Sequence, residues 1–170
     1  MSITNEDKVH GVVLKRLWYA LSEELPSAHF HLDKGISRSS YTLNGIIPAR
    51  LGRGKRAQAG LFVKYATDRV SPWSYSFSKH HQDEMRQLYQ DCGELFVAFV
   101  AGDDGIAGIN YEKLKQILDD NHEAQEWVRV SRKPRQNYRI SGNDGVLEGP
   151  LARNSFPGIA IDYFRSAFGL

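Results

Sequence analysis

Arg50, Arg53, Lys55 and Arg56 fall within seven residues and are interleaved with Gly52 and Gly54. Guanidinium forks match phosphate oxygens, and glycine lets a backbone approach a ligand closely, so this group has the chemistry of a phosphate contact. A second group, Arg129, Arg132, Lys133, Arg135 and Arg139, occupies a strand–turn–strand unit in which Pro134 marks the turn. Arg129 and Ser131 would share one strand face. If both groups lie on one side of the molecule, they form a cationic surface suited to a polyanion. Trp73, Tyr75 and Phe77 alternate with serines, and such a row offers stacking surface to unpaired bases. Aromatic residues at period two equally describe the buried side of a strand, and a basic loop needs no ligand to be stable in water.

Other chemistry is thinner. His29, His31 and Asp33 share a strand face, with successive positions about 6.6–6.8 Å apart, wide for three ligands on one metal. His80-His81 would have to complete such a site, and a polar exposed face is the plainer reading. Asp103 and Asp104 follow an apolar strand, a place where open sheets often carry functional carboxylates, but a turn ending in Gly105 accounts for them as well. Cys92 follows Asp91 near the end of a helix, where the dipole opposes a thiolate. The chain contains no Gly-x-Ser-x-Gly, Walker loop, dinucleotide fingerprint or His-Glu-x-x-His.

These residues must be positioned by a chain of 170 residues, enough for one domain. The expected core covers about residues 5–141, with 142–170 as an extension. Net charge is only +2 but is unevenly distributed. Residues 1–80 carry 12 Lys and Arg against 6 Asp and Glu, residues 81–127 carry 3 against 11, and residues 128–170 carry 7 against 3. A single cysteine, a polar N-terminus and the absence of a long apolar run point to a soluble cytoplasmic protein without internal disulfides.

Hydrophobic spacing predicts a helix over about 5–24, capped by Ser2 or Thr4 and ending before Pro26. Strands follow at 28–33, 39–44, 61–66 and 72–78, the last two paired as an antiparallel hairpin beyond a basic loop at 48–58. A helix at 79–92 stops at Gly93, and Leu95–Ala101, apolar on both faces, reads as a central strand. Strands at 106–109, 127–131 and 136–141, a helix at 111–120 and a short helix at 159–168 complete the prediction. The fold class is α+β, a mixed and mainly antiparallel sheet covered by helices.

An opening helix, three strands, a helix and a buried strand resemble the core of restriction-endonuclease-like nucleases, the PD-(D/E)xK superfamily, over roughly residues 5–101. The resemblance implies Mg²⁺ held by an acid and an acid-x-lysine pair. Lys64 stands in the lysine's place, but its partner position holds Phe62, and Asp68 fits only in another register. Asp33 is the candidate carboxylate from outside the motif, with Glu23 and Glu24. Mg²⁺ requires such oxygen ligands, so a non-cleaving relative that keeps nucleic-acid binding fits these residues better than an active enzyme. The leading expectation is a protein that binds nucleic acid or another phosphate-rich partner through Arg50, Arg53, Lys55, Arg56, Arg129, Arg132, Lys133 and Arg135. The alternatives are a protein-interaction module that forms a homo-oligomer or hetero-complex, and a metal-dependent nuclease using Asp33, Asp68 and Lys64. No cofactor is expected, except Mg²⁺ in the last case.

Overall fold

The structure, a computed structural model, describes all 170 residues. Helix α1 (Asn5–Glu24) opens with a capping box. The Thr4 hydroxyl accepts from the Asp7 amide at 3.1 Å, and the Asp7 carboxylate accepts from the Thr4 amide at 2.7 Å. Strands β1 (His29–Lys34), β2 (Ser40–Ile47) and β3 (Lys55–Ala66) form an antiparallel meander. The chain then leaves this sheet through β4 (Trp73–Ser78) and crosses by α2 (Lys79–Cys92) into β5 (Leu95–Ala101), which lies parallel to β3. Strand β6 (Gly105–Asn110) pairs antiparallel with β5, completing the order β1-β2-β3-β5-β6. After the single turn α3 (Tyr111–Leu114), strands β7 (Gln125–Ser131), β8 (Arg139–Gly142) and β9 (Gly145–Val146) build a second, antiparallel sheet in the order β4-β7-β8-β9. Helix α4 (Ser155–Phe168) closes the chain.

The fold is therefore α+β, with helices packed on largely antiparallel sheets. Strand β5 shows why the layers stack as they do. Leu95, Val97, Phe99 and Ala101 point into a core shared with α2 and the second sheet, whereas Phe96, Ala98 and Val100 point into a core closed by α1 and α4. A strand apolar on both faces must be covered on both, and here it is. No helix is long and apolar enough to cross a membrane.

Three expectations require correction. Residues 61–66 and 72–78 are not a hairpin, because β3 pairs with β2 and β5 while β4 pairs with β7. The cause is aromatic burial: Tyr75 and Phe77 lie across Phe99 and Phe62, an arrangement that requires β4 to face β3 and β5 rather than extend their sheet. The helix expected over 111–120 stops at Leu114 and passes into tighter turns, in which the Gln116 and Ile117 amides donate to the Lys113 and Leu114 carbonyls at 3.1 Å. The helix expected at 159–168 is present and starts about two residues earlier, after an extended Phe156 (φ −116°, ψ 130°), and the segment 142–170 supplies core. Phe156, Ala160, Phe164 and Phe168 of α4 are buried against the first sheet.

Candidate functional site

The second sheet has one face in the core and one in solvent. Its inward residues include Trp73, Tyr75, Phe77, Val128, Val130 and Ile140. The aromatic row Trp73, Tyr75, Phe77, a candidate for base stacking, is at most 3% exposed and cannot meet a ligand. The outward residues are Ser74 and Ser76 on β4, Gln125, Trp127, Arg129 and Ser131 on β7, Arg139 and Ser141 on β8, and Val146 on β9. None is acidic. Register places Ser74, Arg129, Ser141 and Val146 in one row across the four strands, with Trp127 beside Ser76 in the next.

Trp127 is 44% exposed, and the Arg129 guanidinium carbon sits 5.7 Å from its ring centroid. An exposed tryptophan under an arginine leaves its far π-face open and places a fixed positive charge beside it. Sequence reasoning passed over Trp127. Its signal was the alternation Gln125-x-Trp127-x-Arg129-x-Ser131, in which the intervening residues are Glu126, Val128 and Val130. Glu126 made the inward face harder to recognise. Its buried carboxylate accepts hydrogen bonds from the Gln82 side chain at 2.5 Å and the Glu123 amide at 3.2 Å.

The turn joining β7 to β8 carries more charge. Pro134 and Arg135 are its central residues, closed by the Gln136 amide donating to the Lys133 carbonyl at 3.0 Å. Arg135 has φ 64°, the only positive value at a non-glycine residue in the chain. A type II turn requires this backbone at its third position and ordinarily places glycine there. Lys133, Arg135 and Arg139 are exposed and make no ion pair.

Arg132 differs from its neighbours. Its Nε donates to Asp104 at 2.9 Å, a second guanidinium nitrogen pairs with the same carboxylate, and the Tyr138 hydroxyl donates to Asp104 at 2.8 Å. The side chains of Arg132 and Asp104 are 11% and 18% exposed. The Arg132 hydrogen bonds hold the Asp104 carboxyl below its ordinary range, while burial and the Asp104 contact push the Tyr138 phenol up to about 12. Arg132 thus anchors the β7–β8 hairpin to the β5–β6 turn, and Asp104 is its counter-ion. Asp103 remains exposed.

The first basic group lies at the other end of the molecule. Arg50 and Arg53 are exposed in the β2–β3 loop, and Arg56 is exposed on β3 beside a groove it shares with His31, Asn44 and Gln58. Lys55 is withdrawn from this group, because its ammonium donates at 2.5 Å to the Phe168 carbonyl at the end of α4. Strand β3 runs from Lys55 to Ala66, and the Ala66 carbonyl accepts from Gly102 in the β5–β6 turn that binds Arg132. Eleven steps of about 3.3 Å make this intervening strand about 36 Å long. They do not form one continuous patch.

The acid–lysine set is divided in the same way. Lys64 and Asp68 line one cleft of about 450 Å³ between the end of β3 and β4, with Ser39, Thr67, Ser74 and Ser76 among the other walls. Asp33 does not line it. It lies exposed on β1, accepting from the Asn44 side chain at 3.0 Å and contacting His31 at 2.9 Å. Phe62 packs beneath Phe77 and His81. No three His, Cys, Asp or Glu side chains are disposed to hold a metal ion. The donor set around Lys64, one carboxylate and several hydroxyls, does not fit Mg²⁺. Burial lowers the Lys64 ammonium below its ordinary value, and burial together with the Lys64 charge lowers His81. Burial raises the Cys92 thiol, which is therefore a poor nucleophile.

Comparison with protein-family models, curated proteins and solved structures gives no match.

Proposed function

We propose that this protein binds single-stranded nucleic acid on the solvent face of the β4-β7-β8-β9 sheet. The observation that carries the reading is Trp127, exposed beneath Arg129 on a sheet face without a carboxylate. Bases stack on exposed aromatic rings whatever their sequence, and flanking cations attract the backbone. Arg139 lies on the same face, and Lys133 and Arg135 extend the charge into the turn. The left-handed backbone at Arg135 is consistent with this role, since an arginine there has displaced the glycine that the turn favours. Base edges are not recognised by any built pocket on this face, so binding is weakly sequence-dependent.

The reading includes the non-cleaving form of the nuclease resemblance. What it rests on is the three-strand meander with β5 parallel to β3, although β4 of the second sheet intervenes before α2, and Phe62 in the acid's place argues against cleavage.

Fluorescence anisotropy with labelled oligothymidylate across a salt series tests the proposal. Three or four phosphate contacts on single strands give a slope of about −2 to −3 in log K against log salt. Trp127→Ala weakens binding by about 5- to 150-fold, from about 1–3 kcal/mol per stacked base. Absence of binding at low ionic strength, or wild-type affinity in Trp127→Ala, refutes the assignment.

A further inference from the structure

The cleft between β3 and β4 contains an unused cation. Lys64 is half-buried, makes no hydrogen bond or ion pair, and has its ammonium 4.9 Å from the centre of the Phe77 ring. A lysine that gives up part of its hydration without gaining a carboxylate leaves donors available to an incoming anion. The hydroxyls of Ser39, Thr67 and Ser74 line the same space and have no protein partner, while Ser76 is engaged by Gln125. Asp68 is the one carboxylate on the wall. It is exposed and forms no ion pair with Lys64. One partly desolvated ammonium surrounded by hydroxyls is complementary to a tetrahedral oxyanion.

The cleft is placed where the outer sheet ends. Strand β4 is the edge of that sheet, and Ser74 belongs both to its solvent face, in register with Arg129, and to the cleft wall. A strand lying across Trp127 and Arg129 toward this edge meets the cleft as it leaves the platform. We propose that the cleft is a phosphate subsite, with Lys64 as its cation, that takes the terminal phosphate of the nucleic-acid strand bound on the outer face. A terminal phosphomonoester carries about −1.5 to −2 charges at neutral pH, against −1 for an internal diester, and therefore gains more from Lys64. This inference rests on the outer-face reading for its occupant, but not for the subsite itself.

The experiment uses the full chain and four probes: an oligothymidylate with a 5′-phosphate, the same oligomer with a 3′-phosphate, the same oligomer with hydroxyl ends, and inorganic phosphate alone. One phosphorylated end should bind on the order of tenfold tighter than the hydroxyl form, as expected for one added charge-assisted hydrogen bond. Lys64→Met keeps the stem over Phe77 and should abolish that preference. Trp127→Ala should weaken all three oligomers while preserving it. Ser74→Val, at an exposed position with little effect on folding, should reduce the preference several-fold, and Asp68→Asn should increase it. Equal binding of all three oligomers to the wild type, or an end preference that survives in folded Lys64→Met, overturns the inference and leaves the outer-face reading standing. If no oligomer binds, the outer-face reading fails. Phosphate-induced shifts of the Lys64 ammonium resonance that are saturable then retain the subsite, and their absence removes it as well.

Discussion

Replacing Asp104 by alanine should release the β7–β8 hairpin from the rest of the molecule. Asp104 accepts from both Arg132 and Tyr138, and Tyr138 is only 1% exposed. Without the carboxylate, the Tyr138 hydroxyl becomes a buried donor with no partner, at a cost of about 1–3 kcal/mol. Loss of the Arg132 pair acts in the same direction, reduced by solvent at the exposed edge of the guanidinium. For a chain of this length, 2 kcal/mol corresponds to a fall in Tm of about 4–8 °C. Urea denaturation of the wild type, Asp104→Ala, Tyr138→Phe and the double variant measures the effect. The double variant should be less destabilised than the sum of the singles, because removing the hydroxyl removes the orphaned donor. Acid adds a second readout. The folded-state Asp104 carboxyl titrates below its ordinary value, so its contribution is complete above about pH 4 and is lost as pH falls through the folded value. Asp104→Asn should therefore show a flatter decline in stability in that window. Asp104→Ala within about 0.5 kcal/mol of the wild type, or strict additivity with Tyr138→Phe, would refute the account.

Lys55→Met should destabilise by about 0.3–1 kcal/mol, the range for an exposed cation at a helix C-terminus, through loss of its hydrogen bond to the Phe168 carbonyl, with proteolysis at the end of α4 rising in parallel. Arg135→Gly should raise stability by a few tenths of a kcal/mol, the left-handed backbone relief slightly outweighing the entropy of glycine, while weakening oligonucleotide binding. Opposite signs in melting and anisotropy would mark Arg135 as retained for contact rather than for folding. Gly105→Ala should lower Tm, since a Cβ there would lie 2.6 Å from the Tyr138 hydroxyl and disturb the same network as Asp104→Ala.

Local pattern carried the elements well and their partners poorly. The Thr4 cap, the end of α2 at Gly93 and the two-sided burial of Leu95–Ala101 each follow from a few consecutive residues. The pairing of β4 with β7 rather than β3 depends on aromatic contacts between residues 15 or more apart, Phe62 with Phe77 among them, and no short window contains that information. The same limit governed the site. Arg132 and Lys55 look in sequence like their basic neighbours, and only the placement of Asp104 and the end of α4 identifies them as structural cations. Trp73 and Trp127 sit in strands of the same period, and their opposite fates were decided by which side of one sheet faced the core.

A β-strand cannot shorten, and β3 spans about 36 Å over the eleven residue steps from Lys55 to Ala66. The basic loop of Arg50 and Arg53 precedes one end of it, and the turn of Lys133 and Arg135 is tied to the other through Arg132, Asp104 and the Gly102–Ala66 hydrogen bond. That length exceeds several-fold the Debye length of about 8 Å at physiological ionic strength, so the two groups act as electrostatically independent charges. Neutralising one leaves the potential at the other unchanged.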